Sequence, residues 1–225
     1  MLEPIAENLW ALDYRTHTLG MPTRLRMTVV RLARGGLWLH SAVPLTDADQ
    51  RELEALGPVQ FIVAPNKFHH LHASAAKQRF PQARLLVAPG LQVKRPQLPV
   101  DGVLGNVPEA GYAVDLQQKV LAGAPGFNEV VFFHPASRTL IVTDVVINVS
   151  SPPWPWRVPL WLVFGALGQP LQSRVYKVLT RDRAAFRAAV THVLAWDFDR
   201  IVMSHGTVIS SGGKDLLRRV TAWAG

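Results

Sequence analysis

Eight histidines and no cysteine set the chemistry open to this 225-residue chain. Without a thiol, disulfide frameworks, Cys-held metals, iron–sulfur clusters and thiol nucleophiles are all excluded, so any metal must be held by His, Asp, Glu or backbone oxygen. His40, His69, His70, His72 and His205 fall at predicted strand ends or in the loops just after them, where side chains can converge on a rigid frame. The stretch from Phe61 to His72 (FIVAPNKFHHLH) is an apolar strand, a proline-bent loop and then imidazoles. Neutral imidazoles converging from one loop suit a divalent cation, which they bind at about 2.0–2.1 Å without charge repulsion. By themselves these residues fit surface or hydrogen-bonded histidines without metal equally well. His72, two residues beyond His70, faces another side of a helix and reads as a surface residue. His17, His134 and His192 carry no signal.

Strands and helices must position these groups. Leu9 to Asp13, Met27 to Leu32 and, past the Gly35-Gly36 turn, Leu37 to His40 alternate apolar and β-branched residues, which predicts an antiparallel meander. Thr46 offers an N-cap to the helix DADQRELEAL, which Gly57-Pro58 stops. A strand, a helix and a strand follow over Gln60 to Ala64, His70 to Phe80 and Arg84 to Ala88. Residues 89–116 sustain no period and read as a long ordered loop with one short strand. Further strands are expected at Gln117 to Leu121, Glu129 to His134 and Ile141 to Val146, the last two joined by a turn at Pro135-Ala136-Ser137-Arg138. SSPPWPWRVP reads as non-helical. Helices are then predicted at Leu160 to Leu167, Leu171 to Leu179 and Asp182 to Ala195, a strand at Arg200 to Met203 and a last helix near Gly213 to Trp223. Two β-rich halves flanked by helices predict an α/β (α+β) fold, a four-layer αββα sandwich in one domain over residues 1–225.

With those elements laid out, the sequence resembles the metallo-β-lactamase superfamily over essentially the whole chain, and more closely its branch termed domain of unknown function 4336. The superfamily's first metal motif, a strand followed by His-x-His-x-Asp-His, falls on Pro65, Lys67, His69 and His70. Its Pro-Gly-His turn is similar to Pro125-Gly126-Phe127. Its strand ending in a bridging aspartate is similar to Leu140-Ile141-Val142-Thr143-Asp144, and its closing His-Gly to His205-Gly206. A further aspartate of the pattern, behind the ligands, falls on His40. The departures concentrate on one of the two family metals. Pro65, Lys67 and Phe127 stand where its three histidines would be, whereas His70, Asp144 and His205 keep the second site and His69 replaces an aspartate with another competent ligand. The resemblance therefore implies one divalent metal held by His69, His70, Asp144 and His205. Zn²⁺ is the first choice, and Fe²⁺ or Mn²⁺ is compatible with the same donors. It also implies catalytic roles for Asp144 and for Lys67, whose ammonium would replace the missing cation's charge.

Composition bounds the rest. With 48% hydrophobic and 18% charged residues the chain can bury a core. The net charge of +8 raises the prospect of anionic partners, but the arginines are scattered and no nucleic-acid reading module is present, so nucleic acid is not expected. Val158 to Ser173, the longest uncharged apolar stretch, is too short and too broken by Pro and Gly to span a bilayer. The N-terminal sequence lacks a basic flank and an apolar run, which points to a cytoplasmic protein. The Trp-rich segment 154–164 suits an apolar pocket wall, an oligomer contact or a monotopic membrane contact. The expected function is hydrolysis of a small ester, thioester or lactone by a metal-activated hydroxide, with a small, apolar substrate as partner. The alternative is an inactive binding or scaffold protein that kept only the fold.

Overall fold

The computed structural model describes residues 1–18, 21–149, 154–165 and 168–225. Residues 150–153 of SSPPWPWRVP, and 166–167 at the end of the predicted Leu160 to Leu167 helix, lie outside the described residues. Strands β1 (Glu3–Ala6), β2 (Leu9–Thr18), β3 (Met21–Arg31), β4 (Leu37–His40), β5 (Val59–Ala64), β6 (Arg84–Val87) and β7 (Gly102–Val103) form one sheet in sequential order. The second sheet runs β11 (Arg200–Met203), β10 (Thr139–Val142), β9 (Val130–His134), β8 (Gln117–Val120). The first sheet changes from antiparallel to parallel at β4, and β10 pairs parallel with β11.

Period-two alternation builds the layers. Trp38 and Val63 from the first sheet meet Phe132, Ile141 and Val202 from the second in a core between the sheets. Their neighbours Leu37, Leu39, Ile62 and Ala64 point the other way, into a core shared with Leu53 of α1 (Asp47–Leu56) and Ala76 of α2 (Ala73–Arg79). On the far side Val131, Phe133, Leu140, Val142 and Met203 pack against Tyr176 of α5 (Arg174–Leu179), Phe186 and Val190 of α6 (Arg183–Leu194) and Leu216 of α7 (Gly213–Thr221). The result is the αββα sandwich. Helix α1 starts as the sequence predicts: Thr46 Oγ1 accepts from the Asp49 amide and the Asp49 carboxylate accepts from the Thr46 amide.

Three expectations change. Strands β2 and β3 are longer than their apolar runs, pairing from Leu9↔Val30 out to Thr18↔Met21. The loop 89–116 holds a short helix, α3 (Leu91–Lys94), besides the two-residue β7. Helix α4 (Arg157–Phe164) begins inside the stretch expected to be non-helical. Pro159 is tolerated there because it lies in the first turn, where amide hydrogens have no intrahelical partner to lose.

Candidate metal centre

The site gathers at the C-terminal ends of β4, β5, β10 and β11, where the strands stop and loops take over. After β5, Asn66 makes the decisive turn. Its Oδ1 accepts from the amides of Phe68 and His69, both at 2.8 Å, an Asx turn that bends the chain and aims His69 inward. Its Nδ2 donates to Thr143 Oγ1 at 2.8 Å and to Asp144 Oδ2 at 2.6 Å, so one side chain ties the β5 loop to the end of β10.

His69, Asp144 and His205 each offer an atom within 4.8 Å of the others, close enough to hold one metal ion. His69 Nε2 lies 3.4 Å from Asp144 Oδ2, and His205 Nε2 lies 3.6 Å from Asp144 Oδ1 and 3.1 Å from His69 Nε2. His70, expected among the ligands, lies outside this cluster. Its amide donates to the Phe68 carbonyl and its ring lies in the field of Arg95 and Lys94. The position where the superfamily pattern has an aspartate, and not the following histidine, supplies the imidazole. Lys67 Nζ donates to the Pro125 carbonyl at 2.8 Å and its amide to the Phe127 carbonyl at 3.0 Å, which fastens this loop to the Pro125-Gly126 turn. Phe127 is buried, stacked on Tyr176 with ring centroids 4.4 Å apart, and Phe68 packs against it at 5.0 Å.

Several positioning residues escaped the sequence reading. Glu129, fully buried at the head of β9, accepts from the Thr143 amide at 2.7 Å and from the Asp144 amide at 3.2 Å, fixing the backbone that carries Asp144. Arg26 is buried and doubly bonded to Asp13, at 2.8 and 2.9 Å, and its third nitrogen reaches the Gly206 carbonyl at 2.7 Å, just past His205. Ser41 Oγ meets His69 Nδ1 at 2.7 Å. Asn66 was legible in principle, as an Asx-turn residue after a proline. The acid leading an apolar strand, Glu129, was a weaker signal, and Arg26 in an alternating strand gave none.

Charge is tightly balanced. Burial pushes Glu129 up to about 7, and the nearby Asp144 carboxylate adds to that shift. Burial alone would raise Asp144 too, but His69, His205 and the Asn66 amide outweigh it and hold it down at about 2. Burial opposes a charge on His69, yet Asp144 reverses the balance and raises its pKa. Burial, reinforced by His69, lowers His205 to about 4. The Arg24 carbonyl, 3.4 Å from His205 Nδ1, can only accept, so Nδ1 carries the hydrogen and Nε2 turns its lone pair to the centre. A hydrogen on His69 Nε2 then fills the middle of the triad. A divalent cation fits that same position, meeting two imidazole nitrogens and an ionised carboxylate in exchange for the proton. His40, at the end of β4, is fully buried and stacked on Trp38 at 5.4 Å, and neither ring nitrogen meets a partner among the described residues. It neither braces a ligand nor satisfies itself in the core. Burial, then His69, drives it down to about 3.

The family model for a domain of unknown function (DUF4336) matches residues 6–157, more than half of the chain. The chain belongs to the DUF4336 family. No curated protein sequence matches it. Solved structures do resemble this DUF4336 chain, each over 100% of its length. The DIM-1 metallo-β-lactamase exposed to ceftazidime is 12% identical, matched over 97% of its own chain with a TM-score of 0.68. A metallo-β-lactamase from Pontibacter korlensis is 14% identical, matched over 98% with a TM-score of 0.68. The metallo-β-lactamase FIM-1 from Pseudomonas aeruginosa in its mono-zinc form is 13% identical, matched over 95% with a TM-score of 0.67. At these identities the likeness establishes the fold: this DUF4336 chain is a divergent branch of the metallo-β-lactamase fold, with a His/Asp/His site that can take a divalent metal.

Proposed function

We propose that the protein is a single-domain, cytoplasmic, mononuclear metal-dependent hydrolase of small ester, thioester or lactone-like substrates, with the metal held by His69, Asp144 and His205. The convergence of those three side chains within 4.8 Å carries the reading. Zn²⁺ is the preferred metal for two imidazoles and one carboxylate, and the mono-zinc form of FIM-1 supports a single ion in this fold. When bound, the cation supplies Lewis acidity and brings the pKa of water toward about 7. Around it the chain's own groups act. Asn66 holds Asp144 Oδ2, which leaves Oδ1 to receive and return a proton during attack on the substrate carbonyl. Ser41 and the Arg24 carbonyl fix the outer nitrogens of His69 and His205, keeping both rings in register. Lys67, anchored on the Pro125 carbonyl, is proposed to balance negative charge that develops on the substrate.

Metal content sorts this reading from its rival, an inactive binding protein, which the self-satisfied His69–Asp144 pair favours. Protein purified without chelator and loaded with Zn²⁺, Mn²⁺ or Fe²⁺ should retain stoichiometric metal and cleave members of an ester, thioester and lactone panel. Asp144→Ala should lose both properties. Metal retention without turnover of any class on the panel would shift the assignment to a metal-binding protein, and retention of neither would leave the inactive reading.

A further inference from the structure

Between Asp144 and the cap of α6 the chain makes an excursion that the metal site does not use. Its neck is closed by Ile147 and Leu171, whose amides and carbonyls exchange two bonds of 2.9 Å, and by the Asn148 amide, which donates to the His205 carbonyl at 3.0 Å. Beyond the neck lies α4, RVPLWLVF, whose residues Arg157, Val158, Pro159, Trp161 and Leu162 are all exposed. An apolar helix is normally buried. Here Trp154 is 78% exposed, Leu162 57%, Val158 54% and Trp161 49%, and Val178 of the neighbouring α5 reaches 78%. The two helices are fastened together, since Arg174 lies over the Trp161 ring at 4.9 Å and its Nη1 donates to the Leu162 carbonyl at 3.4 Å. From Val145 to Arg181 the sequence holds four basic residues, Arg157, Arg174, Lys177 and Arg181, and no acidic one.

We propose that this patch is a monotopic docking surface for an anionic lipid bilayer, with the two tryptophans and the aliphatic side chains entering the interface and the arginines engaging lipid phosphates. Exposed tryptophans beside arginines are the pairing that interfacial anchoring calls for, apolar groups supplying depth and basic groups attraction to negative headgroups. No helix among the described residues is long and apolar enough to cross a membrane, and α4 with eight residues can only lie along one. Charge complementarity selects the lipid over a second copy of this chain. A two-fold contact through the patch would set Arg157 and Arg174 of one copy against those of the other, whereas an anionic surface matches both. Because Asn148 at the neck holds the His205 backbone, the docked segment would sit one hydrogen bond from the metal centre.

Co-sedimentation tests the proposal without any activity. Full-length protein should bind vesicles of phosphatidylcholine with about one third phosphatidylglycerol at least tenfold more tightly than vesicles of phosphatidylcholine alone, and added salt should weaken that binding. The triple variant Trp154→Ser, Trp161→Ser, Leu162→Ser changes only exposed side chains and should lose binding at least tenfold, with its far-ultraviolet circular dichroism and metal uptake unchanged. Arg157→Glu with Arg181→Glu should lose the preference for the anionic vesicles. Equal affinity of the wild type for both vesicle types, or binding that survives the triple variant, would overturn the proposal. So would an absence of vesicle binding, whether the protein is a monomer or a dimer that the triple variant dissociates; the dimer would make the patch a contact between copies.

Discussion

Two halves of the same cleft have gone separate ways. On one side Asn66 and Ser41 orient the Asp144 carboxylate and the His69 ring, the Arg24 carbonyl meets the His205 ring, and Glu129 and Arg26 fix the backbone beside them. On the other, Phe127 stacks on Tyr176 and packs against Phe68, while Lys67 turns its ammonium to the Pro125 carbonyl. The first half leaves lone pairs and a negative oxygen facing one point, which is costly unless a proton or a cation occupies it. The second half has filled its volume with aromatic rings, whose reward is burial and stacking. An aromatic core and a polar centre thus share one wall of the cleft.

That contrast is testable by asking each half for the other's property. Phe127→Ala should cost about 3–5 kcal/mol in a urea titration, as expected for a buried aromatic ring, and leave metal uptake in place. A large loss of metal with little loss of stability would move Phe127 into the polar half. Arg26→Ala should cost about 2–4 kcal/mol, because it leaves the Asp13 carboxylate with only the half-exposed Arg24 as partner, and should in addition weaken metal binding by freeing the loop that carries His205. Intact affinity in this variant would show that the loop is held by other contacts. Next in size is ligand linkage: at about a hundred times its dissociation constant a metal that binds only the folded state adds roughly 2.7 kcal/mol, a melting shift of several degrees at this size. Asp144→Ala should abolish that shift, and an unchanged shift would place the ion elsewhere.

A further effect concerns pH. His40 titrates near 3 in the folded chain against 6.5 when exposed, so the unfolded chain binds a proton that the fold refuses. Its stabilising contribution is complete above 6.5 and is lost as pH falls from there toward about 3, at up to about 1.4 kcal/mol per pH unit. His40→Phe should flatten that part of the stability profile in chelator-treated protein. An equally steep profile in the variant would assign the dependence to His205, which also falls below its ordinary range.

Much of the frame was legible because alternation announces buried strands. Phe61 to Ala64 and Arg200 to Met203 alternate between cores and fall where the pattern put them, whereas the strand expected over Ile141 to Val146 is Thr139–Val142, ending before Asp144. Asp144 and His205 were legible as strand-end residues once the superfamily pattern was laid on them. That His69 joins the cluster while His70, expected beside it as a ligand, lies outside was not, because it depends on the Asn66 side chain accepting two successive amides, a local turn that motif spacing does not encode. Arg26 and Glu129 were hard to read for a different reason: each is a charged residue whose partner is fixed by tertiary structure, Gly206 in the other sheet's loop for Arg26 and Thr143 at the end of the adjacent strand for Glu129. Helix α4 was expected from Leu160, and its start at Arg157 was misplaced because Pro159 reads as a breaker until it is seen to lie in the first turn.

The proposed site puts one cation in the half of the cleft formed by His69, Asp144 and His205 and none in the half filled by Phe127. Metal analysis by mass spectrometry of protein loaded with Zn²⁺ and freed of excess tests it most directly, comparing the wild type with His205→Ala. The account predicts one equivalent in the wild type and none in the variant. Two equivalents in the wild type, none, or equal uptake by both proteins would contradict it.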